Sequence, residues 1–276
     1  MKRAVRGLDH VVVMADGIDA AEVAYRRLGF QVRPRGFHKK LGTANHLMIF
    51  GQDYFEILGI VENTVFNAER REWLKNGGGL ANVALATDGA DLAFEAFQQA
   101  GLHPDAPLFF DRVVEVAGKA ELARFRTVRI PKTNMPVVGF FVCEQLTPQF
   151  VYRTEWAKHP NGAQGILGVT VIADQPAKWI PELEKYFGAG SVTREGEGLV
   201  VDTGTQPVRY LTRQDYAARY PGIVPVRPGD HPALLSVRID DLAACEALLT
   251  GNGVRIVKPD PRRLIVPPSE AAHLTL

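Results

Sequence analysis

The 276-residue chain has few of the features that mark crosslinked, membrane-bound or nucleic-acid-binding proteins. Its two cysteines, Cys143 and Cys245, are far apart and have no metal-type spacing, so no disulfide framework or cysteine metal site is predicted. No apolar run approaches the ~18 residues of a membrane helix. The net charge of +1 comes without a basic stripe, so no nucleic-acid partner is expected. The start of the chain lacks the pattern of a secretory signal, which predicts a reduced, cytoplasmic setting.

What the sequence does contain is an internal repeat. Residues 8–19 align without a gap on residues 80–91, and the alignment continues to Gly29 and Gly101. A repeat of this kind fixes the architecture before any single residue is interpreted. The two copies share their apolar residues but differ at one polar position, where His10 in the first copy becomes Asn82 in the second.

The pattern returns twice more, at residues 166–174 and 234–241. Each copy predicts a strand, a helix and then two or three strands, because apolar residues change from helical to alternating spacing. The sequence therefore predicts an α+β fold of four βαβββ repeats in two pairs. We number them repeats 1 to 4, spanning residues 8–62, 79–145, 165–213 and 232–276. The expected domains are 1–147 and 165–276, joined by a linker at 148–164.

Two insertions are longer than typical connections. Residues 63–79 join repeats 1 and 2, and their stretch 64–76 predicts a helix ending at three glycines. Residues 214–231 join repeats 3 and 4 and are rich in tyrosine and proline. Either insertion is long enough to cover a pocket. In the linker, His159 is expected to order the chain by hydrogen bonding.

Paired repeats of this type resemble the vicinal oxygen chelate superfamily, in particular its glyoxalase-like domain branch. The residues that carry the resemblance are Leu8–Val13, Gly42–His46, Tyr54–Gly59 and His159–Ala163. The resemblance implies two glyoxalase-like domains, each a half-open barrel or cup. It does not fix one reaction, because the superfamily includes isomerases, dioxygenases, transferases and proteins that only bind ligands.

In this superfamily, metal ligands lie on the first and last strands of a repeat and face the cup. His10 and Glu56 occupy those two positions in repeat 1. An imidazole and a carboxylate on adjacent strands suit a divalent ion with open coordination positions. The resemblance thus implies a divalent metal cofactor such as Zn, Mn, Ni or Fe, with Glu56 also a candidate catalytic residue.

His46 is a further candidate metal ligand and catalytic base, and its role depends on the following turn. A two-residue loop at 51–52 would place Leu47 opposite Glu56 and turn His46 to the other face. A three-residue loop at 51–53 would put His46 on the face of Glu56. His10, His46 and Glu56 would then form a two-histidine, one-carboxylate set. The sequence leaves both alternatives open.

Repeat 2 departs from the ligand pattern. Its first-strand position is Asn82, and its last strand has candidates only at its end, Glu144 and Gln145. Asn82 and Gln145 are therefore predicted to contact substrate, with Glu144 or Gln145 as an alternative third metal ligand. Arg126 lies in a strand that alternates arginine with apolar residues and is expected to meet an anionic substrate. Repeats 3 and 4 show no metal set.

Two functions follow as hypotheses. The first is a metal-dependent lyase, isomerase or dioxygenase that binds a small oxygenated metabolite in the N-terminal cup. The second is a bleomycin-resistance-like binding protein without metal, which the asparagine at position 82 favours. Both take a small molecule as partner. Pairing within the chain is compatible with a monomer, and exposed sheet edges with a homodimer.

Overall fold

The computed structural model describes residues 4–131 and 135–276, which form fifteen strands and six helices within those ranges. The strands are β1 Gly7–Met14, β2 Gly36–His38, β3 Thr43–Ile49, β4 Tyr54–Ile60, β5 Gly79–Ala86, β6 Leu108–Val116, β7 Lys119–Arg129, β8 Gly139–Gln145, β9 Ala163–Ile172, β10 Val192–Glu195, β11 Gly198–Val201, β12 Val208–Leu211, β13 His231–Ile239, β14 Val257–Asp260 and β15 Arg263–Ile265. The helices are α1 Ile18–Arg27, α2 Ala68–Lys75, α3 Ala90–Gln99, α4 Ile180–Phe187, α5 Arg213–Arg219 and α6 Leu242–Gly251. No helix in these ranges has the length and apolar character needed to cross a membrane.

Repeats 1 and 2 form one eight-stranded sheet in the order β2-β3-β4-β1-β5-β8-β7-β6. Strand β1 pairs parallel with β4 and antiparallel with β5, so the first strands of the two repeats lie side by side at the centre. The edge strands β2 and β6 approach each other and nearly close the sheet into a cup. The predicted α+β class and glyoxalase-like half-barrel are confirmed.

A bulge in β1 sets which side chains enter this cup. In the pairing with β5, Leu8 lies opposite Leu85 and His10 lies opposite Ala84, which leaves Asp9 as an extra residue. Strict alternation would send Asp9 and His10 to opposite faces. With the extra residue, both side chains lie on the same side of the sheet.

The C-terminal half repeats this plan with a smaller sheet in the order β10-β11-β12-β9-β13. Strands β9 and β13, the first strands of repeats 3 and 4, pair antiparallel in the same way as β1 and β5. Repeat 4 is abbreviated: β14 and β15 form a separate hairpin, and its final strand is reduced to one bridge between Leu234 and Thr275.

The two halves share a continuous hydrophobic core. Tyr25 in α1 donates a hydrogen bond to the carbonyl of Ala271, and Phe97 in α3 packs edge-on against Tyr186 in α4. Each half therefore buries apolar surface on the other, which stabilises their relative arrangement.

The linker is fixed by His159, as the sequence predicts. Its Nδ1 accepts a hydrogen bond from the Gln31 N–H at 2.9 Å, and its Nε2 donates to the Ile49 carbonyl at 2.9 Å. Burial lowers the pKa of His159, although the bond to Ile49 opposes this shift. A neutral imidazole with one donor and one acceptor satisfies both backbone groups.

Asp53, in the turn between β3 and β4, also joins the two halves. Its carboxylate accepts hydrogen bonds from the Ile166 N–H at 3.2 Å and from the Gln206 side-chain amide at 2.6 Å. Burial nevertheless raises the pKa of Asp53 to about 6, because desolvation outweighs the hydrogen bonds that favour the charged form.

This shift predicts a pH-dependent stability that Asp53→Asn removes. A raised pKa in the folded state favours the protonated form, so the contribution of Asp53 to stability is lost as the pH rises through about 6. Between about pH 4 and pH 8, the free energy of unfolding of the variant should rise relative to wild type by up to about 3 kcal/mol. Urea denaturation of both proteins across this range measures the difference, and a difference independent of pH would contradict the expectation.

Candidate functional site

The cup formed by repeats 1 and 2 encloses a cavity of about 460 Å³. Its floor is polar and includes His10 and Glu56, the pair that the sequence predicts to face the cup. Its walls are largely apolar and carry aromatic side chains from three strands and one helix: Phe110, Phe125, Phe141 and Trp73. A concave apolar space with a few convergent polar groups is typical of small-molecule sites.

His10 is held in one orientation by its neighbours. Its Nδ1 lies 2.5 Å from the Asp9 carboxylate, which accepts the hydrogen bond and leaves Nε2 directed at the cup. The ring stacks on Tyr54 with centroids 4.3 Å apart, and Phe141 packs against it edge-on at 5.6 Å. Only 4% of the residue is exposed. A carboxylate that fixes one ring nitrogen leaves the other available as a ligand or a base.

Asp9 is a site residue that the sequence reasoning missed. Besides His10, it accepts hydrogen bonds from the Tyr152 hydroxyl at 2.7 Å and from the Gln145 side-chain amide at 3.0 Å. Burial raises the pKa of the Tyr152 hydroxyl, and the Asp9 charge adds to the shift, so this hydroxyl remains a donor. Gln145, predicted to contact substrate, thus supports Asp9 in this structure.

Glu56 completes the polar floor. Its Oε2 lies 3.9 Å from the Nε2 of His10, and its Oε1 accepts a hydrogen bond from the Asn45 amide at 2.5 Å. Strand pairing explains the arrangement, because β4 runs parallel to β1 with Tyr54 opposite His10 and Glu56 opposite Val12. The two predicted ligands are therefore brought together, each with its second polar atom held by the protein.

His46 lies elsewhere, and the three-residue-loop alternative is wrong. The hairpin closes through a two-residue loop, since the Phe50 N–H bonds to the Asp53 carbonyl and Leu47 lies opposite Glu56. His46 consequently faces α1. Its Nδ1 bonds to the Arg33 carbonyl at 2.8 Å, and its Nε2 lies 3.3 Å from Glu22. The expected set of His10, His46 and Glu56 is not assembled.

In repeat 2, Asn82 lines the cavity and donates a hydrogen bond to the Gly139 carbonyl at 3.3 Å. Strand β8 pairs with β5 as β4 pairs with β1, with Gly139 opposite Asn82 and Phe141 opposite Ala84. Phe141 thus takes the place that Glu56 has in repeat 1. Glu144 points away from the cup and accepts a hydrogen bond from the Ala90 N–H at the start of α3, so it is not the third ligand considered above.

Arg126 also lies outside the cavity. Its guanidinium makes two hydrogen bonds to Asp91, at 2.6 and 2.8 Å, and lies 3.5 Å from Glu144. The expectation that it meets substrate is wrong because alternation along β7 turns it outward, whereas Phe125 and Arg129 face the cavity. Two arginines that the sequence reasoning overlooked, Arg70 in α2 and Arg112 in β6, line the cavity together with Arg129.

The insertion at residues 63–79 covers the mouth of the cup, as one reading of its length suggested. It forms α2, which places Arg70 and Trp73 on the cavity. The other insertion, at residues 214–231, holds this cover: the guanidinium of Arg227 stacks 3.9 Å above the Trp73 ring and donates a hydrogen bond to the Gly78 carbonyl. The C-terminal half therefore positions one wall of the N-terminal site.

Among the described residues, two groups of side chains could hold a metal ion. Asp9, His10 and Cys143 have ligand atoms within 4.8 Å of one another. However, Asp9 already accepts three hydrogen bonds, and burial raises the pKa of the Cys143 thiol well above its ordinary value, which disfavours the thiolate. The His10 and Glu56 atoms face the cavity and lie within an ångström of the spacing of neighbouring ligands around an ion with bonds of about 2.1 Å. This pair fits a divalent ion better.

Comparison with known proteins agrees with the fold. A model of the glyoxalase-like domain matches residues 8–187. A hypothetical protein from Staphylococcus aureus superposes with a TM-score of 0.65 at 13% identity, over 84% of this chain and 90% of that one. A xylose isomerase-like TIM barrel/4-hydroxyphenylpyruvate dioxygenase fusion protein gives 0.58 at 17% identity, over 94% of this chain and 41% of that one.

At these identities the similarities show the fold alone. Methylmalonyl-CoA epimerase from Mycobacterium tuberculosis covers 54% of this chain, over 94% of its own length, at 16% identity and a TM-score of 0.42. No curated protein sequence matches the chain. The family model spans well over half of the residues, from β1 through α4. The chain therefore belongs to the glyoxalase-like domain family.

Proposed function

We propose that this glyoxalase-like protein binds a small oxygenated metabolite in the N-terminal cup, where His10 and Glu56 hold a divalent metal ion. The proposed reaction is a lyase, isomerase or dioxygenase step at adjacent oxygens of that metabolite. The observation that carries the proposal is the 3.9 Å approach of His10 Nε2 and Glu56 Oε2 on the floor of a 460 Å³ cavity.

Neighbouring residues orient both the His10 and the Glu56 side chains for this role. Asp9 accepts a hydrogen bond from the Nδ1–H of His10 and so keeps the Nε2 lone pair directed at the cup. Asn45 holds one oxygen of Glu56 and leaves the other facing His10. An ion bound by this pair would polarise substrate oxygens and stabilise negative charge that develops on them.

The asymmetry of the two repeats leaves room for substrate. Repeat 2 presents an amide at Asn82 and an apolar ring at Phe141 where repeat 1 presents the imidazole and the carboxylate. Coordination positions on that side would be free for substrate oxygens. The amide of Asn82 can hydrogen-bond such an oxygen, and the aromatic wall excludes water, which strengthens electrostatic interactions at the floor.

The same asymmetry supports a second candidate function, a binding protein that sequesters its ligand without metal. Two protein ligands are fewer than the three that catalytic zinc sites usually have. In this reading Asn82 supplies a hydrogen bond and the walls supply apolar contact. Such a protein would bind ligand with equal affinity in the presence and absence of chelator, and His10→Ala would retain that binding.

Metal binding provides the first test. Protein purified without a histidine tag, stripped with chelator and titrated with Mn²⁺, Zn²⁺, Ni²⁺ or Fe²⁺ should bind one of them near stoichiometrically. Glu56→Gln and His10→Asn should each lower the affinity by at least about 100-fold, because each removes one of two protein ligands. Calorimetry measures the affinity. Glu95→Gln and His273→Asn, which change two exposed residues, are the matched controls. Equal metal uptake by wild type and all four variants would refute the site.

Asp9→Asn tests how the floor is organised. The substitution preserves size but replaces a carboxylate acceptor with an amide, so His10 loses the charge that fixes its Nδ1 proton. Metal affinity should fall by about 10- to 100-fold, as for other residues that orient a ligand. Removing Tyr152 as a donor, in Tyr152→Phe, should have a smaller effect in the same direction. Affinity unchanged in Asp9→Asn would show that His10 does not depend on Asp9.

A further inference from the structure

Two guanidinium groups in the cup have no carboxylate partner. Arg112, on β6, and Arg70, on the covering helix α2, both line the cavity. Within the described residues, neither forms an ion pair within 4.0 Å and neither donates a hydrogen bond. Nearby arginines differ: Arg71 bonds to Asn67 and the Thr64 carbonyl, and Arg129 lies 3.6 Å from Glu69.

Leaving these two cations unpaired costs free energy. Both are partly buried, and burial lowers the pKa of Arg112 and of Arg70, with the Glu56 charge acting in the opposite direction on each. A guanidinium presents five donors in a rigid fork that matches a planar carboxylate. An anion bound by these arginines would therefore recover both the electrostatic and the hydrogen-bonding free energy lost on burial.

The cavity also limits the charge of that anion. Its ionic lining consists of three arginines and two glutamates, a net charge of +1: Arg70, Arg112, Arg129, Glu56 and Glu69. In the metal-free protein a monoanion neutralises this charge, whereas a phosphate monoester would exceed it. The neutral lining is mostly aromatic and aliphatic but includes the polar side chains of Thr43, Asn45, Asn82 and Thr127. The centroid of the Phe125 ring lies 5.8 Å from the Arg112 guanidinium carbon. A ligand with a largely apolar body fits this lining.

We propose that the cup binds an organic monocarboxylate with an apolar, aromatic body, and that Arg112 and Arg70 hold its carboxylate. The anion site stands on these two arginines alone. Its further role, which is to direct an oxygenated carbon of the same molecule toward His10 and Glu56, rests on the proposed function.

Calorimetry on metal-free protein tests the anion site with phenylacetate, its neutral amide phenylacetamide, and phenyl phosphate. Phenylacetate should bind at least about tenfold more tightly than the amide, because the charge-assisted bonds are lost in the amide. Arg112→Gln and Arg70→Gln should each weaken phenylacetate binding by about 10- to 100-fold while leaving the weak binding of the amide unchanged.

Arg126→Gln is the matched control, since Arg126 is paired with Asp91 outside the cavity and should leave binding unchanged. Arg112→Lys retains the charge without the fork and should fall between wild type and Arg112→Gln. It also separates loss of binding from loss of folding. Equal binding of acid and amide, tighter binding of phenyl phosphate, or no binding of phenylacetate up to about 10 mM would each overturn the proposal.

Glu56→Gln separates this inference from the metal hypothesis. It should lower the metal affinity by at least about 100-fold but preserve or strengthen phenylacetate binding, because it removes a negative charge that acts on both arginines. Mandelate, which adds a hydroxyl next to the carboxylate, should gain affinity over phenylacetate only when metal is present. If phenylacetate binds as expected and this metal-dependent gain is absent, the anion site stands and the proposed function fails.

Discussion

The bond between Asp9 and His10 is the interaction on which the rest of the site depends. It exists only because a bulge in β1 sends two consecutive side chains into the same space. Burying a carboxylate there is costly, and hydrogen bonds from Tyr152 and Gln145 offset that cost. As a result, Nδ1 of the His10 imidazole is bonded to Asp9 and its free Nε2 faces Glu56.

The four repeats of the chain share one scaffold but contribute different side chains to the site. Repeat 1 supplies the polar floor, and repeat 2 supplies the aromatic wall and Arg112. The C-terminal repeats add no ionisable group to this cavity, but through Arg227 and Trp73 they hold the covering helix and with it Arg70. The close-packed apolar core that the two halves share keeps Arg227 in place against the covering helix.

Much of the scaffold could be predicted from the sequence alone. The repeat fixed the α+β architecture, the adjacency of β1 and β5 follows from the pairing of repeats, and the helix in the first insertion is present as α2. His10 and Glu56 were identified because the resemblance assigns metal ligands to those strand positions. That both side chains face the cup is likewise what the resemblance implies.

The partners of each polar residue required the tertiary structure. A bulge is not visible in a strand's apolar pattern, so Asp9 was missed. The sequence did not determine the length of the loop after β3, so both orientations of His46 stayed open until the strand pairing was known. Arg126 and Arg112 both lie in strands, and only their pairing shows that one faces out and the other into the cup. Local sequence determines periodicity and hence the scaffold. Register, bulges and the approach of distant segments determine which charges meet, because these depend on contacts between residues far apart in the chain.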